Sequence, residues 1–164
     1  MLADALVPLG ENITVLRPVF QIVQAFLFFS LLLAVSVWDI RHRVIPDGLQ
    51  AGIAALAILN FSVGNILGLL CMLPYLMVGL IPGKSNGIGG GDIKLAGSTG
   101  LVLGLSAGLA ASLMGLTIFV TYGSGLCIIK RFQGDREKKP LPLGPFLSAG
   151  SICAYYFKMK GWVY

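Results

Sequence analysis

Long apolar runs separated by short polar interruptions dominate the pattern along this chain. The runs predict helices at about 18–38, 47–63, 65–82, 92–104, 105–129 and 146–157. A helix of about 20 residues crosses the hydrocarbon core of a bilayer, so the chain has room for five or six crossings, although the fourth run is short for a full one. The pattern predicts an all-α polytopic membrane bundle of about six transmembrane helices, folded as a single membrane-embedded domain over residues 1–164.

Composition agrees with a protein whose main partner is the lipid bilayer. Of the residues, 56% are hydrophobic and 12% are charged, whereas about a quarter are charged in soluble domains. The net charge of +5 comes from basic residues at segment ends, which indicates cytoplasmic anchoring and no nucleic-acid partner. Cys71, Cys127 and Cys153 form no CxxC pair. They predict small core residues and no metal site or other cofactor.

Basic residues also predict the orientation of the chain in the cytoplasmic membrane. They fall in the first, third and fifth loops, at Arg41 and Arg43, Lys84, and 130–139. The positive-inside rule places those loops in the cytoplasm and the N-terminus outside. Lys158 and Lys160 fall on the other side and do not fit this orientation. Small and polar residues from Asn60 to Asn65 predict a tight turn on the outer side.

Two aspartates lie at the cytoplasmic ends of apolar segments. Asp39 follows the first segment, and Asp92 opens the fourth, directly after Gly89, Gly90 and Gly91. An ionisable group in or near a membrane segment costs a few kcal/mol, about 3 at the centre of a span, unless it is paired or hydrated. The predicted orientation puts both carboxylates at the same depth, where the segment ends of a compact bundle can be neighbours.

A carboxylate pair that shares a site favours acid–base chemistry. Like charges at close range keep one member protonated and the other ionised. The ionised member can activate water while the protonated member polarises a peptide carbonyl, as in aspartic proteases. The three glycines would let an extended substrate backbone approach Asp92, since they carry no side chains. Lys94 is a further candidate for substrate binding.

Structural roles for the same residues are open alternatives. Asp92 can cap the fourth helix, Asp39 can pair with Arg43 one turn later, and Asp47 can cap the second helix. Capping and catalysis are compatible. If Asp39 and Asp92 only cap helices or bind ions, the chain is a non-enzymatic membrane transporter or assembly scaffold.

Three separated motifs resemble those of the type IV prepilin peptidases, which are GxGD membrane aspartic proteases. The motifs are WDIRHRVIPD at 38–47, GGGDIKLAG at 89–97 and LPLGPFLSAG at 141–150. The resemblance implies that Asp39 and Asp92 are the catalytic pair. It also implies that the basic leaders of prepilins and pseudopilins, from type IV pili or type II secretion systems, are removed at the cytoplasmic membrane face.

The chain departs from many bacterial relatives in one respect. Those relatives carry an N-terminal cytoplasmic region with paired cysteines and methylate the new pilin N-terminus. Here the first apolar run follows almost at once, and no cysteine pair is present. We therefore expect a short form, closer in size to the archaeal preflagellin peptidases, with peptidase activity and without methyltransferase activity.

Overall fold

The computed structural model describes residues 2–80, 89–133 and 141–162, with side chains for 18–80, 89–129 and 141–162. Within these ranges the chain forms six helical segments and no strand, which confirms the predicted all-α fold. The segments are α1 (Leu2–His42); α2 (Asp47–Ala55), continued by a 3-10 helix (Leu56–Asn60); α3 (Val63–Leu67), a 3-10 helix (Gly68–Met72) and α4 (Leu73–Gly79); α5 (Gly90–Leu103); α6 (Leu105–Gln133); and α7 (Gly144–Met159).

Several helices extend beyond their predicted bounds. Helix α1 begins at Leu2 and ends at His42, although 18–38 was predicted, and α6 continues to Gln133, past the predicted end at 129. Helix α7 is also longer than 146–157 at both ends. Hydropathy marks the apolar part of a helix, whereas backbone hydrogen bonding continues into polar residues. The polar loop is predicted at 83–91; its residues 83–88 lie outside the described residues, as do residues 134–139 of the basic loop, while Gly90 and Gly91 belong to α5.

The predicted turn between the second and third segments is confirmed. The second segment ends at Asn60 instead of residue 63, and α3 begins at Val63. Asn65 fixes this turn, because its amide group donates to the Asn60 carbonyl at 3.1 Å and accepts from the Ser62 hydroxyl at 3.1 Å. The third segment is helical to Gly79 and contains a 3-10 stretch in its middle.

Successive segments run back and forth between two ends of the bundle. One end of the bundle, which we call the aspartate end, holds the C-terminus of α1 and the N-termini of α2, α5 and α7. Gly144 contacts Asp39 there. The other end, which we call the opposite end, holds the C-termini of α5 and α7, and Lys158 contacts Leu103 there. Helix α5 packs against α2, α3, α4, α6 and α7 and is the central element.

Among the described residues, two helices are long and apolar enough to cross a membrane, at Pro18–His42 and Leu105–Ile129. Much of their apolar surface is exposed, including Phe26 and Leu113 at 71% and 66%. A water-soluble protein would bury such side chains in its core, whereas in a membrane the lipid tails solvate them as well as a protein core would. Helix α5 has 14 residues, or about 21 Å at the α-helical rise, which is less than the hydrocarbon core.

The apolar runs did not identify which residues face the core. Cys71 is buried as predicted, but Cys127 and Cys153 are exposed, so the prediction of core positions is wrong for these two. In a membrane protein an apolar residue can face either neighbouring helices or lipid, and hydropathy alone does not separate the two. Close helix packing depends instead on glycine: a β-carbon at Gly100 would collide with the backbone at Gly68.

Candidate active site

Asp39 occupies the last inward-facing position of α1. Phe28, Leu32 and Val35 are all fully buried, and Asp39 continues the same helical face with 6% exposure. The chain reverses directly afterwards, because Arg43 adopts a left-handed backbone conformation with φ of 55°. The sequence therefore places a carboxylate where the core pattern of this helix calls for an apolar residue.

The N-terminus of α7 holds the Asp39 carboxylate. The backbone N–H of Gly144 donates to Asp39 Oδ2 at 2.9 Å in a buried setting. Gly144 is the first residue of α7, and the first N–H groups of a helix have no partner within the helix. Only glycine fits here, since a β-carbon would lie 2.6 Å from the same carboxylate oxygen.

Asp92 lies in the first turn of α5 and is partly exposed. Its Oδ2 accepts a hydrogen bond from the backbone N–H of Gly89 at 3.3 Å. The capping alternative for Asp92 therefore holds, and it engages one oxygen of the carboxylate. This cap leaves room for acid–base chemistry at the other oxygen.

A cavity of about 390 Å³ joins the two aspartates at the aspartate end. Asp39 and Asp92 both line it, although more than fifty residues separate them in the sequence. The predicted substrate-binding residues Gly89, Gly90, Gly91 and Lys94 line the same cavity. All six predicted site residues are therefore brought together, while their functional roles stay predictions.

At the rim of the cavity, Asp47 and Arg43 do not make the local contacts that the sequence predicts, which are a cap of α2 by Asp47 and an ion pair between Arg43 and Asp39. Lys94 Nζ lies 2.7 Å from Asp47 Oδ1, with both side chains exposed. Asp47 does not cap α2, because the N-cap residue is Pro46 and no side chain caps this end. No ion pair links Asp39 with Arg43 among the described side chains; the Asp39 carboxylate accepts the Gly144 N–H.

Sequence reasoning missed two residues that position Gly91 at the start of α5. Gln50 on α2 is 4% exposed, and its Nε2 donates to the Gly91 carbonyl at 3.1 Å. Ile45 is buried against Gly91, where a β-carbon would lie 3.3 Å from the isoleucine. A polar side chain three positions into a short helix was the available signal for Gln50. Nothing in the sequence pattern pointed to the contact of Ile45.

The fold and this site together define a class: a helical membrane protein that gathers two carboxylates in one cavity at one end of its bundle. The family model described as "Type IV leader peptidase family" matches residues 26–128. The match covers both Asp39 and Asp92 and well over half of the chain. This chain belongs to the type IV leader peptidase family.

Curated relatives point in the same direction. The chain is 31% identical over 144 residues to a prepilin leader peptidase/N-methyltransferase of Bacillus subtilis (strain 168), covering 84% of this chain and 56% of that protein. It is 30% identical over 145 residues to proteins of the same name from two Burkholderia pseudomallei strains, covering 81% of this chain and 46% of theirs. The chain thus spans about half the length of these relatives. No solved structure matched it.

Proposed function

We propose that this protein is a membrane aspartic endopeptidase that removes the basic leader peptide from prepilins or pseudopilins. The observation that carries this proposal is the shared cavity of Asp39 and Asp92 in a chain of the leader peptidase family. The names of the curated relatives support the substrate class.

The two carboxylates act as an acid–base pair. One is ionised and takes a proton from the attacking water, while the other is protonated and donates a hydrogen bond to the scissile carbonyl. The tetrahedral intermediate then collapses, and the leaving amine receives a proton from the pair. The Gly144 N–H fixes one oxygen of Asp39, and the Gly89 N–H fixes one oxygen of Asp92. Each carboxylate keeps a second oxygen for water or substrate.

The rim of the cavity suits a basic leader. Asp47 and Lys94 are exposed and pair with each other, and an exposed pair of this kind contributes only about 0–1 kcal/mol. A leader lysine or arginine can therefore replace Lys94 beside Asp47 at little expense. Gly89 and Gly90 are exposed next to Asp92, which leaves space for an extended peptide backbone.

Cleavage of a prepilin reporter in cells tests the proposal. The wild-type chain is expected to shorten the reporter by its leader, and neutralising the basic leader residues should slow this cleavage. Asp39→Asn and Asp92→Asn should each abolish it with normal membrane levels. Asp47→Asn is the matched control, because this aspartate lines the same cavity outside the proposed pair; it should retain cleavage, slowed by no more than about fivefold, since an exposed charge pair contributes about 0–1 kcal/mol. Retained cleavage by both of the first two variants would refute the assignment.

The same test separates the peptidase from the transporter or scaffold alternative, which the Gly89–Asp92 cap on its own would also fit. If Asp92 only caps α5, its replacement by Ala costs the protein about 1 kcal/mol of stability and leaves reporter processing as it is with the wild-type chain. A transporter would instead show proton or cation flux that depends on Asp92, with unchanged reporter processing.

The cytoplasmic position of the site is part of the proposal and has its own experiment. Lys94 is exposed at the rim, so Lys94→Cys, in a chain whose three cysteines are replaced by serine, reports the side of the membrane. A membrane-impermeant maleimide should label this cysteine in inverted vesicles and leave it unlabelled in intact cells. Labelling in intact cells would place the site on the outer face.

A further inference from the structure

A second cavity lies away from the aspartates. It measures about 640 Å³ and is located at the opposite end, between the C-terminal part of α5, the turn at Asn60–Asn65 and the last turns of α7. Along α5, Leu103 at this cavity is eleven residues from Asp92, or about 17 Å at the α-helical rise. The proposed peptidase chemistry therefore does not use this space.

The cavity has an apolar side and a polar side. Leu67, Leu109 and Met159 line it and are exposed to the surroundings of the bundle. Tyr155 and Gln24 form the polar wall: the tyrosine hydroxyl donates to Gln24 Oε1 at 3.2 Å, and Gln24 Nε2 donates to the Leu56 carbonyl at 2.8 Å. The polar wall is held in place by its own hydrogen bonds.

The ammonium group of Lys158 forms no ion pair with a carboxylate among the described side chains. It donates to the carbonyls of Leu103 at 2.7 Å and Val102 at 3.3 Å, which leaves one of its three N–H donors for another partner. No acidic residue lines the cavity within the part of the chain whose side chains are described. A partly buried cation beside an apolar surface complements an amphiphile with an anionic head group.

We propose that this cavity binds an anionic phospholipid, with Lys158 contacting the phosphate of the head group and Leu67, Leu109 and Met159 contacting an acyl chain. A lipid head group and free phosphate both offer Lys158 a phosphate anion. The apolar side of the cavity favours the lipid. The proposal is independent of the peptidase assignment, since no residue of the aspartate site takes part.

Native mass spectrometry of the full chain in a neutral detergent tests the proposal. The chain is titrated with phosphatidylglycerol, with phosphatidylcholine and with glycerol phosphate. Wild type is expected to form a one-to-one phosphatidylglycerol complex and to bind the other two more weakly. Lys158→Gln should weaken phosphatidylglycerol binding by about tenfold, since it removes a charge-assisted hydrogen bond.

Lys160→Gln is the matched control, because Lys160 lies over the Tyr156 ring at 5.8 Å and does not line the cavity; it should bind like wild type. Ser106→Phe fills the cavity from an exposed position and keeps Lys158, so it should also lose phosphatidylglycerol binding. An unchanged unfolding temperature of this variant would exclude misfolding as the cause. Three results would overturn the proposal: equal binding by Lys158→Gln and wild type, equal binding of both lipids, or binding of glycerol phosphate as tight as that of the lipid.

Discussion

Replacing Gly144 with alanine should misplace the Asp39 carboxylate without changing any group of the proposed reaction. The new β-carbon would lie 2.6 Å from Asp39 Oδ2, 3.0 Å from its Cγ and 3.1 Å from its Cβ. Ordinary contacts begin at 3.4 Å, so the nearest oxygen must move by about 0.8 Å. Asp39 is short and buried on a helix, so it has few ways to yield.

A shift of this size has a large expected effect on activity. A misplacement of about 1 Å at a reacting group costs on the order of 100-fold in rate. The hydrogen bond from the Gly144 N–H at 2.9 Å is also weakened, and a bond to a charged group contributes about 1.5–3 kcal/mol. We therefore expect kcat/KM to fall about 100-fold for Gly144→Ala.

The assay is leader cleavage from a purified prepilin by the detergent-solubilised chain, followed by mass spectrometry. Gly123→Ala is the matched control, because nothing lies within 4 Å of a β-carbon at this glycine of α6; its activity should equal that of wild type. Circular dichroism shows whether each variant is folded. A folded Gly144→Ala protein with wild-type kcat/KM would refute the inference that α7 positions Asp39.

Three further predictions concern the start of α5, the packing of α5 and the aspartate pair. Gln50→Leu should remove the 3.1 Å hydrogen bond to the Gly91 carbonyl, a loss of about 1 kcal/mol that should lower kcat/KM several-fold; unchanged activity would show that the first turn of α5 needs no such support. Gly100→Ala should lower the unfolding temperature strongly, since its β-carbon would meet backbone of the facing segment, whereas Gly123→Ala should not; equal unfolding temperatures would contradict this packing. Because the reaction needs one protonated and one ionised carboxylate, kcat/KM plotted against pH should be bell-shaped, and a profile with a single ionisation would contradict a shared proton.

The hydrophobic pattern predicted the helices and their order well, because a membrane helix must satisfy its backbone hydrogen bonds internally. It did not predict where they end. Helix α1 continues to His42, so Asp39 lies within a helix and not after one. That position makes its carboxylate part of the core face, which a hydropathy plot does not reveal.

The sequence was sufficient to predict that Asp39 and Asp92 lie at the same end of the bundle, since alternate turns return the chain to that end. It did not predict the contacts that hold the site in place. Gly144 is 105 residues from Asp39, and Gln50 is 41 residues from Gly91. Such contacts depend on how helices rotate and pack, and a glycine or a glutamine has no pattern that fixes its partner.

The ion pair at the rim of the cavity was also not predictable from the spacing of charged residues within one helical turn. Asp47 and Arg43 each lie at helix ends where capping or pairing within one turn is common. The structure instead pairs Asp47 with Lys94, 47 residues away. A tertiary contact between α2 and α5 replaced the local one.

The most direct test of the central claim is kcat/KM for prepilin cleavage by purified Asp39→Asn, Asp92→Asn and Asp47→Asn proteins. If the first two carboxylates form the acid–base pair, each of these changes should lower kcat/KM by about 100-fold to 10,000-fold, and Asp47→Asn should stay within about fivefold of wild type. Wild-type kcat/KM in a folded Asp39→Asn or Asp92→Asn protein would contradict the account.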